Sequence, residues 1–184
     1  MSNGASNAMQ MLEAAARAAR QSKRRLTLQF VCTGNICRSP TAHAIMAALL
    51  MREGLHTAVV VTSSGTSGHV GWTPDRRSIA AAARRGYHNM NSLRARALSA
   101  GDFDESDLLF ALDTGHAKEM RSWRGTTAAQ RSKVVLLLDF APQHGQDVVD
   151  PYYEDIGVFD DVVLHIEDAC NAIVAALRTV YAAD

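Results

Sequence analysis

This chain has no surplus of charge. Its 184 residues carry 19 Lys and Arg against 19 Asp and Glu. No net field is available to recruit nucleic acid or another bulk polyanion, although a small local anion site is not excluded. Long apolar runs are missing as well. Nothing approaches the roughly 18 consecutive apolar residues of a membrane-crossing helix, so no membrane span is expected. The first 25 residues lack the apolar stretch of a secretory signal. They are rich in Ala and Arg with the single acid Glu13, which suits a transit peptide or a plain N-terminal extension. Cysteine is scarce: Cys32, Cys37 and Cys170 are too few, and odd in number, for a disulfide framework. That usage fits a reducing cytosol, and a cytoplasmic location is expected. His56, His88, His116, His144 and His165 are scattered without metal-ligand spacing, so they are expected to be structural or at the surface.

What is present is an ordinary globular composition, 47% hydrophobic and 21% charged, in a chain long enough for one buried core. Residues 1–8 read as irregular chain, and 9–23 are rich in helix formers. Residues 1–24 are therefore expected to be an extension, disordered to helical, ahead of one domain at 25–184. The stretch 25–31 has strand character, followed by a Gly-containing loop and a helix opened by Ser39-Pro40. Further strands are expected at 58–62, 108–112 and 134–138. A helix starts at Pro74-Asp75, and a long amphipathic one runs over about 158–182. Strands alternating with helices imply a parallel sheet covered on both faces.

The first strand–helix junction carries the chemistry. It reads Cys32-Thr33-Gly34-Asn35-Ile36-Cys37-Arg38-Ser39-Pro40. A loop of backbone N–H groups ending at a helix N-terminus is an anion site. If it curls round a phosphate-sized anion, its ends meet. Arg38 then holds two oxygens bidentately, and Cys32 sits beneath the phosphorus. The amides, the helix dipole and Arg38 all favour the thiolate, a nucleophile aimed at a phosphoryl group. Such a transfer needs an acid for the leaving oxygen. Asp150, in the loop Asp147-Val148-Val149-Asp150-Pro151-Tyr152-Tyr153-Glu154-Asp155, is the candidate, with Tyr152 and Tyr153 able to wall a pocket.

These two segments, 118 residues apart from Cys32 to Asp150, resemble the low-molecular-weight protein tyrosine phosphatases. The likeness covers roughly residues 26–182. It includes Thr62-Ser63-Ser64-Gly65-Thr66, Arg94-Ala95-Arg96, Asp102-Phe103 and Ala111-Leu112-Asp113. It implies a three-layer α/β/α sandwich with a four-stranded parallel sheet, the phosphate loop following the first strand. It implies Cys32 as the nucleophile forming a phosphocysteine, Arg38 as the phosphate clamp and Asp150 as general acid, then base. Thr33, Gly34, Asn35, Ile36 and Cys37 would supply loop amides. Asn35 would hold the loop through Ser63 or Ser64, and Ser39 would steady the thiolate. Tyr152 and Tyr153 would form the aromatic rim. Cys37 would also pair with Cys32 under oxidation. No cofactor or metal is implied. The expected partners are a tyrosine-phosphorylated protein, inorganic phosphate as product, and a cognate tyrosine kinase.

The chain departs from the family pattern in places. Gly68-His69-Val70-Gly71 lacks an aromatic usual there, and Trp72 is the candidate replacement. Leu93 stands where a supporting His is common, and His43 where an acid is common. Two other readings share the first loop. An arsenate reductase of this fold would need relay cysteines, and none lies between Cys37 and Cys170. A phosphate- or phosphotyrosine-binding module without turnover would sit better with Cys32, Arg38 or Asp150 replaced, and all three are present.

Overall fold

The structure, a computed structural model, describes residues 3–182, with side chains from residue 7. Helices are α1 (Asn3–Gln21), α2 (Arg38–Arg52), α3 (Arg76–Arg84), α4 (Ala100–Glu105), α5 (Thr114–Arg121), α6 (Ala128–Arg131) and α7 (Ile156–Ala182). Strands are β1 (Leu26–Cys32), β2 (Val59–Gly65), β3 (Leu108–Ala111) and β4 (Val134–Leu136). The strands are all parallel, in the order β2-β1-β3-β4. This is the expected four-stranded sheet with helices on both faces.

Alternation along the strands builds the two outer layers. Leu28, Phe30 and Cys32 of β1 join Leu108 and Phe110 in one core with residues of α1, α2 and α7. Val31 of β1 joins Leu109, Ala111 and Val134 in a second core with Phe103 of α4 and Ala117 and Met120 of α5. Phe30 stacks on Phe110 at 5.0 Å, and Phe140 meets Phe110 edge-on. Each such ring, fully buried, contributes about 1.5–3 kcal/mol. Cys32 thus ends the central strand on the α2 side, at the carboxyl edge of the sheet, where open parallel sheets place their ligands.

Strands β1 and β3 differ from the sequence reading by no more than one residue at an end, and three boundaries differ by more. Strand β2 runs on to Gly65, because Ser63, Ser64 and Gly65 stay in register with Phe30, Val31 and Cys32. Strand β4 stops at Leu136, opposite the last β3 residue Ala111, and Leu137–Phe140 turn into a 3-10 segment. Helix α1 begins at Asn3, where irregular chain was expected up to residue 8. Burial of Ala8, Leu12, Ala16 and Ala19 explains it: a four-residue apolar stripe lies against the core. Arg20 Nη1 also donates to Val180 O at 2.9 Å, tying α1 to the end of α7. Residues 1 and 2 of the expected extension lie outside the described residues.

Candidate active site

The loop 32–37 is shaped from outside. The N–H groups of Thr66, Ser67, His69 and Asp75 donate to the carbonyls of Cys32, Thr33, Gly34 and Ile36 at 2.7–3.0 Å. In a trans peptide the C=O of one residue opposes the N–H of the next. With those carbonyls drawn outward, the N–H groups of Thr33, Gly34, Asn35 and Cys37 turn inward, toward one point. The N-terminus of α2 opens on the same point, with no side chain capping it. Gly65 is required for this close packing. A Cβ there would lie 2.3 Å from Thr33 O and 2.9 Å from Asn35 N.

Asn35 adopts φ +56°, an uncommon value for a residue with a side chain. Three hydrogen bonds hold it there. Its Nδ2 donates to Ser39 Oγ at 2.8 Å and to Ser63 Oγ at 3.1 Å, and its Oδ1 accepts from Arg96 N at 3.0 Å. The hydroxyl partner is thus Ser63; Ser64 instead accepts from the buried amide of Gln29. Ser39 Oγ lies 3.0 Å from Cys32 Sγ and donates to Ser64 O. Cys32, Cys37 and Cys170 are free and buried. Burial pushes the Cys37 thiol up to about 12, although the Ser78 hydroxyl beside it favours the thiolate.

Arg38 is buried at 3% exposure, and its donors can be counted. Nη1 gives its two hydrogens to Asp113 Oδ2 (2.7 Å) and Val148 O (3.1 Å). Nη2 gives one to Asp150 Oδ2 at 2.8 Å. A guanidinium has five N–H groups. The Nε hydrogen and the second Nη2 hydrogen remain, and these two form the fork that fits two phosphate oxygens. Asp113 and Val148 therefore set the rotation of the fork. Burial works against the Asp113 carboxylate, but the imidazole and backbone N–H of His116 beside it and the hydrogen bond from Arg38 outweigh it. Its pKa lies well below the usual carboxylate range.

A cleft of about 250 Å³ opens above this floor. It is lined by Cys32, Thr33, Gly34, Ile36, Cys37, Arg38, His69, Trp72, Asp150, Tyr152 and Tyr153. Its walls are two aromatic pairs. His69 stacks on Trp72 at 4.7 Å, and Tyr152 meets Tyr153 edge-on at 4.9 Å. Arg77 anchors the tyrosine loop. It is held by Asp75, donates to Tyr152 O at 3.0 Å and lies over the Tyr152 and Phe159 rings. Among the described residues, no group of three His, Cys, Asp or Glu side chains is placed to hold a metal ion.

The structure thus gathers every residue singled out from the two motifs round one cleft. Asn35 and Ser39 sit beneath it, supporting the loop, rather than lining it. Three contributors had no role in the site from the sequence: Asp113, named only within the likeness, His116, expected to be structural or at the surface, and Arg77. Asp113 and His116 lie in the first turn after β3, the strand beside β1, and Arg77 lies in α3. A carboxylate capping a helix at the carboxyl end of a neighbouring strand was a signal available for Asp113. His116 carried none, since its spacing matches no motif.

A parallel sheet with an amide cradle and a fixed guanidinium at its carboxyl edge places the molecule among the α/β enzymes that bind phosphate groups. Residues 27–182 match the model of the family described as low molecular weight phosphotyrosine protein phosphatase. The chain belongs to that family, and it is a hydrolase. It is 40% identical over 151 residues to low molecular weight protein-tyrosine phosphatase A of Mycobacterium tuberculosis, covering 78% of this chain and 86% of that one. A crystal structure of protein tyrosine phosphatase from Entamoeba histolytica, with Hepes in the active site, superposes with a TM-score of 0.77 and 31% identity. That match covers 84% of this chain and 97% of the other. The arginine phosphatase YwlE, solved as a cysteine-to-serine mutant with a phosphorylated active-site serine, superposes with a TM-score of 0.75 and 25% identity. Here the match covers 83% and 96%.

Proposed function

We propose that this chain hydrolyses phosphotyrosine in proteins, and small aryl phosphates, through a phosphocysteine intermediate. Cys32 attacks phosphorus from the floor of the cleft. The phosphoryl oxygens lie against the inward N–H groups and the Arg38 fork, which stabilise the charge as the bond to the leaving oxygen breaks. Asp150 protonates that phenolic oxygen. It then takes a proton from the water that releases inorganic phosphate. Ser39 Oγ lies 3.0 Å from Cys32 Sγ, and by turning its one hydroxyl hydrogen from Ser64 O to the sulfur it steadies the thiolate before attack and as it leaves.

The observation that carries the reading is the arrangement about Arg38. One guanidinium is fixed by Asp113 and Val148 and pairs with Asp150, so clamp and acid meet over the thiol. An arriving phosphate dianion competes for Arg38 and frees Asp150 for its leaving group. The rim supports an aryl ester. Ile36, His69, Trp72, Tyr152 and Tyr153 offer flat or apolar surface to a phenol ring. Among the described residues Asp150 is the one carboxylate lining the cleft. Once phosphate releases it, the leaving group takes it as the acid, so the guanidinium of a phosphoarginine, the substrate class in YwlE's name, finds no second carboxylate to pair with.

The test is metal-free turnover of phosphotyrosine, phosphoserine and phosphoarginine peptides, with wild type and Asp150→Ala on aryl phosphates of graded leaving-group pKa. The reading expects phosphotyrosine to be preferred and Asp150→Ala to lose most rate on the poorest leaving groups. A uniform loss would contradict the acid role, and a preference for phosphoarginine would contradict the substrate.

A further inference from the structure

His116 is 4% exposed and has a place in the site that its surroundings define. Its Nε2 lies 2.9 Å from Thr33 Oγ1, the first residue after the nucleophile. Its Nδ1 lies 2.9 Å from Asp113 Oδ1. That nitrogen is buried and within ion-pair distance, though not in good hydrogen-bond geometry, and the backbone N–H of His116 donates to the same oxygen at 2.7 Å. Through its other oxygen Asp113 accepts from Arg38 Nη1. The contacts therefore run Thr33, His116, Asp113, Arg38. Thr33 and Arg38 are the two ends of the phosphate loop. One turn of α5 touches both.

We propose that His116 is a positioning residue that ties the amide end of the phosphate loop to its guanidinium end. The inference rests on the phosphatase reading above and adds a residue to it. Thr33 presents an N–H to the phosphate and Arg38 presents its fork, and both must meet the same three oxygens. Holding them on a single helix turn fixes their separation. The tie matters most when a dianion arrives. Arg38 then trades Asp150 for phosphate, and the Asp113–His116 pair keeps the guanidinium from following Asp150 outward. His116 does not touch the reacting atoms, so its loss weakens oxyanion binding without changing how rate depends on the leaving group.

The experiment compares wild type, His116→Phe, His116→Gln, Thr33→Val and the double variant His116→Phe/Thr33→Val. Readouts are kcat/KM on para-nitrophenyl phosphate, its leaving-group dependence, and the Kd of inorganic phosphate by calorimetry. Phe keeps the bulk of the ring and removes both nitrogens, while Gln restores a polar group. One lost hydrogen bond beside a charged group predicts a roughly tenfold weaker phosphate Kd and lower kcat/KM in His116→Phe. His116→Gln should recover part of it, and the double variant should be no worse than the more impaired single one. The leaving-group dependence should stay as in wild type. A His116→Phe protein that binds phosphate like wild type would overturn the proposal. So would losses in the two single variants that multiply in the double. If wild type bound phosphate but turned over no ester, the phosphatase reading would fall, and the same phosphate Kd series would still decide for or against the tie.

Discussion

The floor and the rim of the cleft are built by opposite rules. On the floor Asn35, Arg38 and Ser39 are at most 3% exposed, and each makes several hydrogen bonds to fixed partners. On the rim Trp72 is 57% and Tyr153 92% exposed, and each rests mainly on one aromatic neighbour. A phosphoryl group is the same in every substrate, so its cradle can be rigid, with only the donors that meet the oxygens left open. The protein around a phosphotyrosine varies, so the walls that meet it are large, flat and free to adjust. On the proposed function, the thiol and the phosphate clamp lie in the buried half, while the acid Asp150, its side chain 48% exposed, stands between floor and rim.

The largest break in this contrast comes from the floor. Gly65→Ala forces a Cβ against Thr33 O and Asn35 N. The Thr33 carbonyl that the Ser67 N–H draws outward can no longer pack there, and the amide cradle opens. Turnover should fall at least about 100-fold, as for a lost oxyanion cradle, while circular dichroism still reports a folded sheet. Asn35→Ala, which removes a donor to the Ser39 and Ser63 hydroxyls and the acceptor of the Arg96 N–H and keeps the strained φ, should lose about tenfold or more in kcat/KM. Asn35→Gly relieves the backbone and should lose less.

Buried titrating groups sharpen the contrast next. Burial, with Arg96 nearby, holds the His43 imidazole down to about 4. Above pH 6.5 it is neutral in both folded and unfolded chains. As pH falls from 6.5 toward 4 the unfolded chain binds a proton that the folded one refuses, so stability drops. His43→Gln should remove that part of the acid sensitivity, on the order of 2–3 kcal/mol across the window. Asp113 acts at lower pH. Its depressed pKa gives stability that is present above about pH 4 and lost as pH falls through the folded value. Asp113→Asn should therefore cost about 3 kcal/mol in urea unfolding at pH 7. The deficit should shrink in acid. A constant deficit would contradict the role given to its charge.

The rim gives the smallest effect. Trp72→Ala removes the partner of His69 and one wall. It should raise KM for aryl phosphates a few-fold, the cost of one aromatic contact, and leave kcat near wild type. An unchanged KM would show that the wall lies elsewhere. The same substitution tested on an alkyl phosphate should do nothing.

Much of this site was legible in the sequence because its parts are local. Cys32 to Pro40 is one contiguous loop whose spacing carries its own chemistry, and Asp150-Pro151-Tyr152-Tyr153 is one turn. Strand existence followed from alternation, while strand ends did not. Gly65 belongs to β2 because of what lies opposite it, and β4 stops where β3 runs out. The supports were illegible for the same reason. Asp113, His116 and Arg77 act through contacts 75 or more residues away; a capping pattern marks the place of Asp113 but not its partner, and no local pattern marks the other two. Helix α1 was legible as a helix from its composition. Its docking depends on how its apolar stripe meets α7, which composition does not state.

The central claim is that Cys32 becomes phosphorylated during turnover. The most direct measurement is rapid acid quench of wild type turning over para-nitrophenyl phosphate, followed by peptide mass spectrometry. The account predicts one added phosphoryl group on the peptide bearing Cys32, present during turnover, gone when substrate is exhausted, and absent from Cys37 and Cys170. Turnover that proceeds undiminished in Cys32→Ser, with no phosphorylated cysteine trapped in wild type, would contradict it.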